Sequence, residues 1–192
     1  MDSIQPTRRE LLGGLAVAAL AARLPWALAI MLVYHAGGFC QETPKKADGS
    51  KEREWLQQFV GEWEAESSGT KVTDTARPLG PWVIVDIKVE IKNGPLTGML
   101  TVGFDPQKKK YVGTWIDSKT NYLWVYEGTV DSTGKVLTLE TEGPNPMVPG
   151  KLFKAKDVHK FIDKDHRSLT SSMLGEDGKW HTFQNIDYRR KK

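Results

Sequence analysis

From Phe59 onward, apolar and polar residues alternate with a period of two, and turn residues return about every ten positions. Val83, Val85, Ile87, Val89 and Ile91 alternate with Asp86, Lys88 and Glu90, as expected of a strand with one buried face. The pattern predicts strands near 60–67, 82–92, 96–104, 110–117, 122–130, 135–141, 151–162, 167–174 and 180–190, preceded by a short helical turn at 54–58. No long helical period interrupts the series. Short turns between successive strands favour an up-and-down antiparallel β-barrel of about nine or ten strands.

Turn chemistry predicts the pairing. An Asn93-Gly94 turn would oppose Ile91 to Leu96 and Val85 to Val102, but it would place Pro95 where a backbone N–H is needed. A four-residue loop, 93–96, avoids this and keeps the same faces together. A loop at 118–121 opposes Trp115 to Trp124, Gly113 to Tyr126 and Tyr111 to Gly128, setting rings against bare backbone. A loop at 131–134 then opposes Gly128 to Leu137 and Tyr126 to Leu139. Across 175–178, Met173 faces Trp180 and Leu169 faces Gln184, with Ile186 and Tyr188 on the same face. Strand 151–162 then needs a bulge, and its register stays open.

The first 34 residues differ from all that follows. Thr7-Arg8-Arg9-Glu10-Leu11-Leu12 opens an Ala- and Gly-rich apolar run, and Ala27-x-Ala29 offers a small-residue cleavage site. This is the pattern of a secretory signal peptide, and the paired arginines resemble the twin-arginine export signal, whose route carries folded proteins. The competing reading is a membrane anchor over residues 11–34. It would bury Arg23 near mid-span at a cost of about 2.5–3.5 kcal/mol, with Pro25 close by. The division expected is an export signal at 1–29, a linker at 30–51 and a barrel at 52–190, in an exported protein, periplasmic or extracellular. Two alternatives stay open: Met31 as the true start, and an inner-membrane anchor. Cys40 suggests lipidation, but Phe39 and Gly37 stand where the lipoprotein pattern takes other residues.

Composition narrows the classes. The chain has 192 residues, 39% hydrophobic and 27% charged, ordinary for a globular domain. A net charge of +3 excludes a strongly basic nucleic-acid binder. The terminal run Arg189-Arg190-Lys191-Lys192 reads as a solvated tail. A single cysteine gives neither an internal disulfide nor a Cys-rich zinc site. No phosphate loop, nucleophile elbow or metal-ligand spacing occurs, so no catalytic residue, metal or cofactor is expected. His181, on the last strand, falls on the outer face. His159 shares a face with Phe153, Ala155 and Phe161, beside Asp157, and reads as a core histidine. Asp117 is either a carboxylate at the barrel mouth or the cap of the 118–121 turn.

Two stretches carry a family resemblance. Leu56-Gln57-Gln58-Phe59-Val60-Gly61-Glu62-Trp63, a helical turn followed by Gly-x-Trp, resembles the opening of lipocalin-like barrels. Gly103-Phe104-Asp105-Pro106-Gln107-Lys108-Lys109-Lys110-Tyr111-Val112-Gly113-Thr114-Trp115-Ile116-Asp117-Ser118, with Asp187-Tyr188-Arg189-Arg190, resembles the bacterial domain of unknown function 1579. The resemblance covers about residues 52–190. It implies a lipocalin-like barrel, usually exported, and supplies no activity. Between Thr70 and Pro81 the chain is short for the pattern, as if one rim strand were missing or irregular.

Two functions fit these features. The first is a non-catalytic barrel that holds a small apolar or aromatic ligand through Tyr111, Trp115, Asp117, Trp124 and Tyr126. The second is a filled barrel that docks a partner through an outer face bearing Ile116, Leu123 and Val125. The export reading predicts that Arg8→Lys with Arg9→Lys keeps the protein in the cytoplasm, and that the exported form begins near Ile30. Recovery of intact Met1 from a membrane fraction by N-terminal sequencing would establish the anchor instead.

Overall fold

The computed structural model describes residues 48–192, apart from 68, 93, 146 and 147; the stretch read as an export signal, most of that read as linker, and Cys40 lie outside the described residues. A short helix, α1 (Ser50–Leu56), begins inside the stretch read as linker and runs into a 3-10 turn at Gln57–Phe59. Ten strands follow: β1 (Gly61–Ser67), β2 (Thr70–Leu79), β3 (Trp82–Val89), β4 (Leu96–Asp105), β5 (Lys110–Asp117), β6 (Trp124–Val130), β7 (Val136–Pro144), β8 (Leu152–Asp163), β9 (His166–Leu174) and β10 (Trp180–Arg190). Each pairs antiparallel with its neighbours, and β1 with β10 closes the barrel.

The stretch 70–81, expected to be defective, holds the ten-residue strand β2, paired over Val72–Leu79 with β3 and over Thr70–Ala76 with β1. Its inward positions are Val72, Asp74 and Ala76. A charged and a small residue among them erase the apolar alternation that marks a strand. Asp74 is tolerated inside because it binds Arg167 of β9; the two side chains are each 2% exposed.

Several registers differ from the expectation. β3 and β4 pair Val85 with Leu100 and Val83 with Val102, so β3 ends at Val89 and the loop spans residues 90–95. Both short loops considered for this hairpin are therefore wrong, though the shared faces are kept. Pro95 falls in the longer loop, and the Glu90 N–H bonds to Lys71 instead of β4. β6 and β7 pair Gly128 with Leu139 and Val130 with Leu137, two residues from the expected match. Asp131 causes the shift: its carboxylate accepts from the N–H groups of Lys135 and Val136, stretching the turn. The resulting Glu127–Glu140 pair is relieved by Lys108 and Lys110, both bonded to Glu127. In β10, a bulge between Thr182 and Gln184 opposes His181 to Met173 and Ile186 to Leu169, not the pairs expected. A further shift lies between Phe161 and Asp163 of β8. The β5–β6 register stands as expected, from Tyr111 with Gly128 to Trp115 with Trp124.

The glycines serve differently from the expectation. A Cβ on Gly113 or Gly128 would strike the backbone carbonyl of Thr101 or Thr138 on the next strand. These two glycines therefore permit the sharp coiling that closes a small barrel. Rings cover other glycines: Trp115 lies over Gly98 and Trp124 over Gly143.

One end of the barrel is filled. Leu56, Phe59, Trp63, Val83, Val102, Leu137 and Phe161 are buried there beneath α1. Trp55 lies edge-on to Tyr111 and Phe161, each at 5.5 Å, and its Nε1 donates to the Gly134 carbonyl at 2.7 Å. A seven-residue helix gains its stability from such packing. Arg190 is no part of a solvated tail. Its guanidinium lies 4.1 Å from the Trp63 ring and donates to the Val60, Gln58 and Lys164 carbonyls. Gly61, at φ 126, sits where a Cβ would collide with that guanidinium. Trp63 donates its own Nε1–H to the Phe59 carbonyl at 2.7 Å. Trp63→Ala should therefore cost roughly 3–5 kcal/mol, the range for large buried aromatics, read as a lowered chemical denaturation midpoint. An unchanged midpoint would refute this account of the closed end.

Candidate functional site

The other half of the barrel is hollow. A cavity of about 530 Å³ runs from mid-barrel to the end away from α1, where Leu96, Asp117, Thr120 and Trp124 line it. The inward residues of β8 descend through it in steps of two: Phe153 at the mouth, then Ala155, Asp157 and His159. Beyond His159 the interior is solid, and the Phe59 ring stands 5.2 Å from the imidazole.

Four of the five residues singled out in the sequence line this cavity: Trp115, Asp117, Trp124 and Tyr126. Tyr111 shares their inward face but lies at the closed end, beside Trp55 and Phe104, and borders an open surface hollow beside Lys51, Glu52 and Lys109. Burial, with the charge of Glu52 nearby, pushes its phenol up to about 12.

The wall is aromatic. Trp124 lies edge-on to Tyr122 at 5.0 Å and to Phe153 at 5.8 Å. Trp115 is oriented by its Nε1–H, which donates to Asp117 Oδ2 at 3.0 Å. Asp117 also accepts from the backbone N–H groups of Lys119 and Thr120 and from the Thr120 hydroxyl. Although burial works against it, these donors hold its carboxyl below the usual range. At the mouth, Asp117 thus caps the turn and fixes a wall tryptophan.

The depth of the cavity is polar. The Tyr126 hydroxyl donates to Asp157 Oδ2 at 2.9 Å, and Ser171 also bonds to this carboxylate. Burial raises Asp157 above the ordinary carboxyl range, and the two hydroxyls offset part of that. Burial and the charge of Asp157 likewise push the Tyr126 phenol up. His159 is 4% exposed, and its Nδ1 has no hydrogen-bond partner among the described residues. Burial first, then the nearby Arg167 charge, lower its pKa to about 3, so the ring is neutral.

Asp157 and His159 carried a signal in the sequence, since both share the inward parity of Phe153 and Ala155. Ser171 carried none, because a serine in a strand is equally at home on either face. His181 is exposed at the mouth end, with its Nε2 3.0 Å from Asp177. The bulge at residue 183 sets Trp180, not His181, beside an outer-face lysine, with Lys156 Nζ 4.2 Å above its ring. Among the described residues, no group of three or more His, Cys, Asp or Glu gathers as a metal site would require.

A closed antiparallel barrel, capped at one end and hollow at the other with an aromatic wall, is a lipocalin-like architecture. The chain belongs to the family described as Protein of unknown function (DUF1579), whose model matches residues 48–190. A similar solved structure is that of an S-type phycobiliprotein lyase, CPES, from Guillardia theta. It is 13% identical, with a TM-score of 0.49 over 73% of this chain and 93% of that one. No curated protein matches the chain.

The buried histidine predicts a pH dependence. The unfolded chain takes up a proton near pH 6.5, whereas the folded protein resists it until about pH 3. Stability is therefore lost as pH falls through that window, by roughly 1 kcal/mol per pH unit from His159 alone. Asp157, raised in the fold, acts with the opposite sign. Comparing denaturation midpoints of His159→Phe and wild type between pH 6 and 4 isolates the histidine. The variant should show the flatter loss on acidification, and parallel curves would contradict its burial as a neutral ring.

Proposed function

We propose that this protein is an exported, non-catalytic barrel that holds a small, mainly apolar or aromatic ligand in the open half of its interior. The observation that carries this reading is the cavity itself. At about 530 Å³ it falls within the range of small-molecule sites, and it joins an aromatic wall to a few convergent polar groups. Binding is favoured over catalysis by how those groups are engaged. Asp117 is occupied by four donors at the turn, and Tyr126 and Ser171 are directed at Asp157. Export rests on the paired arginines and the Ala27-x-Ala29 site.

A second reading rests on the outer face, where Ile116, Leu123 and Val125 are 47%, 53% and 59% exposed on adjoining strands and their loop. An apolar patch of this kind suits a docked partner.

Tryptophan fluorescence separates the two, because Trp115 and Trp124 border the cavity. A small apolar ligand should quench it. Trp124→Ala should weaken binding more than tenfold, which is about 1.4 kcal/mol and within reach of one aromatic contact. The variant must be assayed where it remains folded. If a broad panel of lipids and aromatics changes neither fluorescence nor melting temperature, the cavity is not a binding site and the outer face takes precedence.

A further inference from the structure

The two ends of the cavity differ in kind, and the deeper end is specific about charge. Among the described residues, the ionisable groups that line it are Asp117, Asp157, His159 and the phenols of Tyr126 and Tyr188; no lysine or arginine does. Asp117 is occupied at the mouth. Arg167, the buried cation among the described residues, is bound to Asp74. Asp157 therefore stands deep in the cavity with hydroxyl donors alone. A carboxylate offers about four acceptor positions, and Tyr126 and Ser171 use two. One step deeper, His159 Nδ1 is buried with no partner among the described residues. Native interiors seldom leave a polar atom in this state unless something else completes it.

We propose that the depth of this cavity receives the ammonium end of an amphiphilic ligand, with Asp157 as its counter-ion and the apolar body of the ligand lying along Trp115, Trp124 and Phe153. The inference rests on the binding reading given above and adds the chemical class of the ligand. An ammonium in an apolar cavity must be paired and hydrogen-bonded; beside it the ionised form of Asp157, which burial alone disfavours, is favoured and supplies both the charge and the acceptors. A fatty carboxylate would find, among the described residues lining the cavity, no lysine or arginine to receive it. The overall charge of +3 favours anions, so a preference for amines reports the cavity and not the general surface.

The test compares dodecylamine, dodecanol and dodecanoate at pH 7 by titration calorimetry on the intact protein, each below its aggregation threshold. Dodecylamine should bind at least about tenfold more tightly than dodecanoate, a difference of about 1.4 kcal/mol. Asp157→Asn should erase most of that difference. Dodecanoate binding as tightly as dodecylamine to wild type overturns the inference even if the variant does not fold. A preference that survives Asp157→Asn also overturns it. Dodecanol binding without a preference for the amine leaves the cavity reading standing and removes only this inference. If none of the three binds, both fail.

Discussion

A guanidinium buried inside a ten-stranded barrel has to be neutralised where it sits, and the arrangement of this protein follows from how that is done. Arg167 of β9 binds Asp74 of β2. The guanidinium carbon lies 4.0 Å from the Tyr188 ring, 5.0 Å from Trp63 and 5.6 Å from Phe59. Removing either partner would strand a charge away from water, a loss of about 3–5 kcal/mol in comparable pairs. The pair also ties together two strands that are not neighbours in the sheet. It forms a polar layer between the packed rings under α1 and the hollow half of the barrel.

That layer lets one short sequence build two interiors. Below it, aromatic side chains from α1, the 3-10 turn and the strands fill the space. Above it, the same inward parity continues, but the positions carry Ala155, Ser171, Thr141 and Asp157, which are too small or too polar to meet across the barrel. The cavity results from side-chain size at fixed strand geometry, with no change of fold. Its electrostatics follow from the same division, since Arg167, the buried cation among the described residues, is held in the layer and Asp157 stands above it.

The period-two pattern made the barrel legible, because it survives errors of register. The β6–β7 match was displaced by two residues and the β3–β4 match by two or four, depending on the loop, yet every displaced residue kept its face. Turn length was the weak point. Asp131 lengthens its turn by accepting backbone N–H groups, and a lone aspartate in a loop does not announce this. Strand β2 was obscured for a related reason. Asp74 reads as a surface residue until its partner, 93 residues away, is placed. The cavity wall was legible in Trp115, Asp117, Trp124 and Tyr126 because short hairpins fix their parity. Tyr111 has the same parity, but its height along the barrel axis is not encoded by alternation. Arg190 was misread for want of any local sign that it would lie over Trp63.

The contact between Arg190 and the first strand bears on the order in which this molecule can be made. Arg190 donates to the Val60 carbonyl, 130 residues back along the chain. Every other strand pairing joins sequence neighbours through a hairpin and can form as soon as its two strands exist. The β1–β10 seam alone must await all ten, and contacts of such separation carry the largest loop-closure cost and form slowly. Until the seam closes, the assembly is an open curled sheet with two bare edges, the state in which β proteins most readily pair with one another. The Arg190 clamp over Trp63 thus marks the passage from a sheet that can add strands from other molecules to a barrel that cannot.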